Sequence, residues 1–262
     1  MVVLSLALGI GANVTIFGAI NGLLLRTLPG VDRPESLVRL QSVGENEMIS
    51  DVNTYGYSEK DDGQPVGSTF SYATFAQLKR SNDTLADLFA CAPEAPLNVV
   101  VNGRGEVATG LVASGSYFQT LGVRAAIGRT LIPDDDRGGA PPVAVLSDGY
   151  WKRRFGGDPN AIGTVLHVNT VPITVVGVTP PAFVGVQEVL SEATDITMPL
   201  ELDRQFNHDA GLDVSRLDRP AWAWLQVVGR LKPGATPAHV QGNLGGVYEQ
   251  AARAGWQSYL GS

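Results

Sequence analysis

PVAVLSDGYWKRRFGGDPNAIGTVLHVNTVPITVVGV, residues 142–178, changes its hydrophobic period twice, and the fold class turns on that change. Val143-Ala144-Val145-Leu146 is a short unbroken apolar run of the kind that makes a buried strand. Ser147 or Asp148 then caps a helix carrying Tyr150, Trp151 and Phe155, and Gly156-Gly157 ends it. Val165 to Val168 and Val171 to Val178 follow as two strands joined at Asn169-Thr170. The alternation of Leu166 with Val168, and of Ile173 with Val175, gives them one buried face. Strand, helix and hairpin succeed one another without a regular βαβ repeat, which predicts a mixed α+β domain.

Moving outward, Ala223 to Leu231 reads as another strand. Thr236 caps a helix with Pro237 in its first position, and Val240, Leu244, Val247 and Ala251 form its apolar stripe. Upstream, Asn102-Gly103 lies between Val99-Val100-Val101 and Glu106 to Val112, a strong hairpin signal. Ser71 stands where an N-cap belongs. Tyr72, Phe75 and Leu78, continued by Leu85, Leu88 and Phe89, give a helical stripe with a break near Ser81-Asn82. Ser36 to Leu40 reads as a strand, and residues 44–67 as a loose stretch of low hydrophobicity.

The other decisive run is Met1 to Leu25, which holds no charged residue. About 20 apolar residues cross the hydrocarbon core of a bilayer. Gly9, Gly11, Asn13, Gly18, Asn21 and Gly22 would weaken a helix in water but are tolerated in membrane helices. On a helix, Ala7, Gly11, Thr15, Gly18 and Gly22 share one narrow face of small residues, suited to close packing against other helices. A secretory signal would need a basic start and a small-x-small cleavage site, and this run has neither. Gly9-Ile10-Gly11 lacks the strand–turn–helix setting of a dinucleotide loop. The segment predicts a transmembrane helix over residues 1–28.

Composition closes off several functions. The 262-residue chain is 44% hydrophobic and 17% charged, with net charge −7, so nucleic acid finds no basic footprint. Lys152-Arg153-Arg154, the densest positive cluster, reads as a solvated helix face. Cys91 is the one cysteine, and His167, His208 and His239 are scattered, so no metal or thiol site is expected. Asp134-Asp135-Asp136 lacks the spacing of a calcium loop and reads as a solvated turn. Ser114 and Ser147 lack a GxSxG elbow, so a hydrolase triad is not expected either. No catalytic, cofactor-binding or metal-binding residue is predicted.

Six blocks then fall in the order of a known family. Ala113-Ser114-Gly115-Ser116-Tyr117-Phe118-Gln119-Thr120-Leu121-Gly122-Val123 resembles the "sgnYFdvlGv" segment of the MacB-like periplasmic core domain of ABC transporter permeases. Gly128-Arg129-Thr130-Leu131, Trp151 to Pro159 with Ile162-Gly163, Val175 to Phe183, Met198-Pro199-Leu200 and Gly229 to Gly234 continue it. Ala7 to Asn13 and Leu24 to Pro29 look like the first membrane helix of this FtsX-like/MacB group, in its stand-alone form without a fused ATPase.

The resemblance implies one membrane helix (residues 1–28) and a two-lobed α+β periplasmic domain (residues 29–262). Lobe one would comprise 29–112 and 220–262, with the Thr236 helix packed on the early sheet; the inserted lobe would be 113–219. It implies an inner-membrane protein whose periplasmic part transmits ATP-driven motion for export or extrusion. The implied partners are a separate cytoplasmic ABC ATPase subunit, a second permease copy in a homodimer, the lipid bilayer, and a periplasmic adaptor or outer-membrane channel. Family members carry three further membrane helices; no second apolar run of that length occurs before Ser262, which reads as a fragment or a truncated gene product. The alternative is a membrane-anchored periplasmic binding or sensor module without transport.

Overall fold

A computed structural model of the chain describes residues 16–20, 28–43, 51–52, 57–59, 65–186, 193–206 and 214–261. In chain order, the first elements are strands β1 (Ile16–Ile20), β2 (Leu37–Val43), β3 (Asp51–Val52), β4 (Tyr57–Glu59) and β5 (Pro65–Gly67) and helix α1 (Tyr72–Arg80). Next come β6 (Leu85–Val101), β7 (Arg104–Ala113), α2 (Tyr117–Leu121), β8 (Ile127–Gly128), β9 (Val143–Leu146) and α3 (Asp148–Phe155). The chain continues with β10 (Val165–Val168), β11 (Val171–Val178), β12 (Ile196–Pro199), α4 (Asp203–Phe206), β13 (Trp222–Ala223), β14 (Gln226–Leu231) and α5 (Pro237–Leu260). The result is a mixed α+β domain.

Local chemistry sets the punctuation. Asn102 and Gly103 adopt φ of 50° and 74° and join β6 to β7; Asn169 and Thr170, at 45° and 77°, join β10 to β11. Both pairs take the left-handed values that a two-residue hairpin needs. The Ser71 side chain accepts from the Thr74 amide, and Ser147 from Tyr150. Thr236 and His239 form a reciprocal cap, each side chain accepting from the other's amide.

Beyond those turns, one half of the domain is a closed ring of strands. β6 pairs with β7, β7 with β12, β12 with β9, β9 with β11 and β11 with β10. The ring shuts because β10 returns to β6, His167 opposite Val100 and Val168 opposite Val99. Leu97, Val99, Ala108, Leu146, Leu166, Val168, Ile173, Ile196 and Met198 form its buried interior. Alternate residues such as Val100, Val107 and Val165 are exposed, as the two-residue period requires. Helix α3 lies across the end where β6 stops and β7 and β12 begin. Arg154 donates to the Val101 and Arg104 carbonyls, Tyr150 donates to Glu106, and Arg153 to Asp195.

β6 also serves the other half. Its first residues pair with β14, from Gln226 opposite Cys91 to Leu231 opposite Leu85, and the sheet runs on through β2, β5 and β4. α1 and α5 pack together over this half, and α5 also lies against β1. Leu78, Val240 and Leu244 are fully buried between them, with the Phe70 ring edge-on to Tyr248 at 5.7 Å. A single strand of seventeen residues thus runs about 50 Å through both halves as a shared spine.

The structure departs from the sequence reading at five places. The stretch 44–67, read as loose, contains strands β3, β4 and β5, the last paired with β2. Leu85, Leu88 and Phe89 belong to β6, not to a continued helical stripe. The Asn82 side chain accepts from the Thr84 and Leu85 amides and turns the chain, after which strand pairing with β14 outweighs the helical period. Lys152-Arg153-Arg154 is not a simply solvated face: the Arg154 side chain is 16% exposed and pairs with Glu106 at 3.0 Å. A run of basic letters does not reveal that its last member reaches backbone carbonyls fifty residues away.

The acidic run Asp134-Asp135-Asp136 is likewise not a solvated turn, because two of its carboxylates are structural acceptors, as described below. Finally, residues 16–20 of the expected membrane helix form strand β1, antiparallel to β2 with Gly18 opposite Gln41. Ile16, Phe17 and Ile20 are good strand formers, and the edge of β2 supplies a hydrogen-bond ladder. Residues 1–15 and 21–27 of that segment, including Ala7, Gly11, Thr15 and Gly22, lie outside the described residues. No helix among the described residues is long and apolar enough to cross a membrane.

Candidate functional site

The short helix α2 and the turn before it carry two sites, one at each end. At its C-terminal end the chain meets residues 28–36, here termed the neck. Leu28 and Val31 pack on a core containing Leu37, Phe89, Tyr117, Phe118, Leu121 and Phe183. Within that core Tyr117 meets Phe89 and Phe118 edge-on, each at 4.9 Å between ring centres. The Asp32 amide donates to the Leu121 carbonyl at 3.0 Å. Gly122 follows at φ 71°, and a Cβ there would stand 2.5 Å from the Cβ of Asp32, so the approach of neck to helix requires glycine.

Arg230 of β14 locks this junction. Its Nε donates to the Thr120 carbonyl (2.7 Å), Nη2 to the Asp32 carbonyl (2.5 Å), and Nη1 to the Arg33 carbonyl (3.0 Å) and Ser36 Oγ (2.5 Å). Only 8% of the residue is exposed. Burial, and then the charge of Arg33, hold the guanidinium below its ordinary pKa, with no carboxylate among the hydrogen-bond acceptors it uses. A buried cation spent on carbonyls fixes geometry rather than charge balance. The signal for it was a lone arginine inside an apolar strand.

At the other end of α2, the turn Ser114-Gly115-Ser116 faces α1 across an open cleft of about 320 Å³. Tyr72, Phe75, Ala76, Lys79 and Arg80 line one wall; Pro133 and Asp136 complete the other. Lys79 donates to Ser116 Oγ at 2.9 Å and stands 3.7 Å from Asp87, and Asp87 in turn accepts from Thr120. Asp136 brackets three segments: one oxygen accepts from the Gly115 amide at 3.2 Å, the other from Glu201 at 2.9 Å. Burial pushes its carboxyl up from 3.8 to about 6; Glu201 adds to the rise, while the two amides and Lys79 oppose it. Tyr72 is raised too, by burial and then by the charges of Asp136 and Glu201. Asp135, beside it, takes both Arg129 Nη atoms (2.6 and 2.8 Å) and the Ile132 amide. Only Asp134, paired with Arg137, remains a surface group.

The other residues weighed for chemistry have structural partners. Ser114 accepts from the Ala90 amide and Ser147 caps α3, and no histidine hydrogen-bonds to either among the described residues. His167 lies on the exposed side of β10, His239 caps α5, and His208 is outside the described residues. Cys91 is buried. Among the described residues no cluster of His, Cys, Asp and Glu could hold a metal. Arg216 ties the halves together by pairing with Glu94 of β6 and the fully buried Asp203, and stacks 4.0 Å over Trp224.

Comparison with known proteins gives a consistent family. A family model described as the MacB-like periplasmic core domain matches residues 1–247. The macrolide export ATP-binding/permease protein MacB of Burkholderia thailandensis is 34% identical over 83 residues, 32% of this chain and 11% of that protein. Its counterpart from Burkholderia pseudomallei is 24% identical over 163 residues, 60% of this chain and 25% of that protein. The chain therefore spans a quarter or less of the length of these curated relatives. Among solved structures, the periplasmic region of MacB from Actinobacillus actinomycetemcomitans aligns with a TM-score of 0.54 at 14% identity, covering 71% of this chain and 76% of that one. A domain of a putative permease from Porphyromonas gingivalis aligns with the same score at 15% identity, covering 86% and 84%.

Proposed function

Since the chain belongs to the family of MacB-like periplasmic core domains of ABC transporter permeases, we propose that it transmits ATP-driven motion from the membrane into the periplasm. The observation that carries this reading is the double attachment of the 114–122 segment. Its far end grips the neck through Thr120, Leu121 and Arg230, and its near end forms the cleft wall opposite α1. α2 is five residues long, about 7–8 Å, and buried on nearly every side, so a displacement of the neck reaches the cleft with little loss.

The cleft follows a division of the domain into lobe one, 29–112 and 220–262, and an inserted lobe, 113–219. The packing of α5 on α1 supports that division, while β7 and the second half of β6 carry lobe one into the ring of the inserted lobe's strands. In a bilayer residues 16–20 would trade their strand pairing for part of a helix over 1–28, because hydrocarbon offers no external hydrogen-bond partner. Its small face of Ala7, Gly11, Thr15, Gly18 and Gly22 would then pack on other membrane helices. The partners of this reading are a cytoplasmic ABC ATPase, a second permease copy, the inner-membrane bilayer, and a periplasmic adaptor or outer-membrane channel. Export or extrusion is the work done, without catalysis in this chain.

The test places one spin label on the neck and another on α1, in the full permease with its ATPase. ATP should change the distance between the labels, and Arg230→Met should abolish the change while ATP hydrolysis continues. An unchanged distance in the parent protein rejects transmission. The second reading, an anchored binding module, rests on the open cleft. It predicts saturable binding by the chain and no ATP-dependent distance change.

A further inference from the structure

Tyr117 of α2 carries a polar atom into an apolar core. Its ring stands edge-on to Phe89, Phe118 and Phe183, with centres 4.9, 4.9 and 6.3 Å away, and the residue is fully buried. A phenylalanine would satisfy that packing. The tyrosine adds a hydroxyl, which has no hydrogen-bond partner among the described residues. The Val186 amide approaches it without a hydrogen bond of good geometry. Thr179, which follows β11 and is 3% exposed, presents the same puzzle. Its amide donates to the Leu146 carbonyl, but its Oγ1 has no partner among the described residues. Buried hydroxyls left unpaired are costly and uncommon in native proteins.

These two residues line one small cavity beside α2, where β9 and β11 end, and Ser147, Phe183, Thr194 and Thr197 also border it. Its volume is about 10 Å³, the room that a single water molecule occupies. None of the lining residues is charged, so the space suits a neutral occupant, and it is too small for an organic ligand. Purely apolar cavities stay dry, whereas one edged by several hydroxyls supplies the roughly two to four partners that retain a water. We propose that one buried water occupies this cavity, accepting from the Tyr117 hydroxyl and donating to Thr179 Oγ1, and so binds α2 to the end of β11. The phenol suits the donor's part: burial, and then Cys91, hold its pKa well above the ordinary value against the opposing Val186 amide, so it stays protonated. The inference goes beyond transmission and needs no motion of the domain. It gives α2 a third attachment, to the strand ring, beside those to the neck and the cleft.

Two measurements on the full chain test it. A high-resolution crystal structure should show one ordered water within about 3.2 Å of both hydroxyl oxygens. An empty cavity, a direct bond between the two hydroxyls, or a side chain filling the space overturns the proposal. Urea unfolding of Tyr117→Phe and Thr179→Val supplies the second measurement, since each variant keeps the packing shape and removes one hydroxyl. Each should raise the unfolding equilibrium constant about fivefold, the effect of losing a satisfied hydrogen bond. The sign decides: removing a hydroxyl that had no partner would leave the chain as stable or more so, and that result overturns the proposal. The double variant should cost less than the two single variants combined, because both act through one shared molecule. Full additivity would mean that the hydroxyls have separate partners, which overturns it too.

Discussion

The two ends of the 114–122 segment are built on opposite principles. At the neck the polar contacts go mainly to backbone: one guanidinium saturated by three carbonyls and a hydroxyl, and a glycine where no Cβ fits. At the cleft Lys79 meets the side chains of Ser116 and Asp87, and Asp136 holds backbone amides with a titratable carboxyl. Backbone acceptors cannot move without moving the chain, whereas Lys79 and Asp136 can change partners or protonation in place. A transmission element needs this asymmetry: one end must not slip, and the other must be able to open.

The contrast is broken most directly at Arg230. Arg230→Met keeps the length of the side chain and removes every donor, leaving the Asp32, Arg33 and Thr120 carbonyls without the bonds it supplied. We expect a loss of about 3 kcal/mol, since orphaned buried acceptors cost more than the net value of the bonds. In urea unfolding the midpoint should fall with the slope unchanged. Arg230→Lys should restore only part, because an ammonium cannot span the same acceptors with a planar fork. A loss below about 1 kcal/mol for the methionine variant would make the neck a loose contact rather than a clamp.

Gly122→Ala comes next. The alanine would sit at φ 71° with its Cβ against Asp32, so both backbone strain and a steric push on the neck are expected. About 1–3 kcal/mol should be lost, seen as a lower melting temperature. The two effects should not add, because both variants loosen the same neck contact; a double mutant that is fully additive would show two separate attachments.

How much of this could be read from the letters follows the same division between local and distant causes. Ser71, Ser147, Thr236 with Pro237, Asn102-Gly103 and Asn169-Thr170 each act on residues within about four positions, and each was legible as cap or turn. Closure of the strand ring depends on β10 finding β6 some seventy residues back, and no local period encodes that. Leu85, Leu88 and Phe89 fitted a helical period by accident and were claimed by β14, more than a hundred residues away. Arg230 and Asp136 were hidden for a common reason. Their partners are backbone groups, which carry no residue identity, so a sequence marks the charge but not the acceptor or donor that makes it structural.

Lys79 gives the smallest and most discriminating effect. Its side chain is 39% exposed, its contact to Asp87 is long at 3.7 Å, and Ser116 Oγ keeps a bond of its own, donated to the Leu88 carbonyl. Lys79→Met should therefore cost no more than about 0.5 kcal/mol, the range of a solvent-screened pair. It should nevertheless matter to Asp136. The lysine is the charge that favours the ionised carboxylate, so its removal should raise the titration point of the Asp136 carboxyl, followed by NMR, above that of the parent chain. A large stability loss from Lys79→Met would mean that the cleft is as rigid as the neck, and the asymmetry would fail. A small loss with an upward shift in titration would identify the lysine as part of the titratable end, where a change of charge is felt by Asp136 without unfolding the domain.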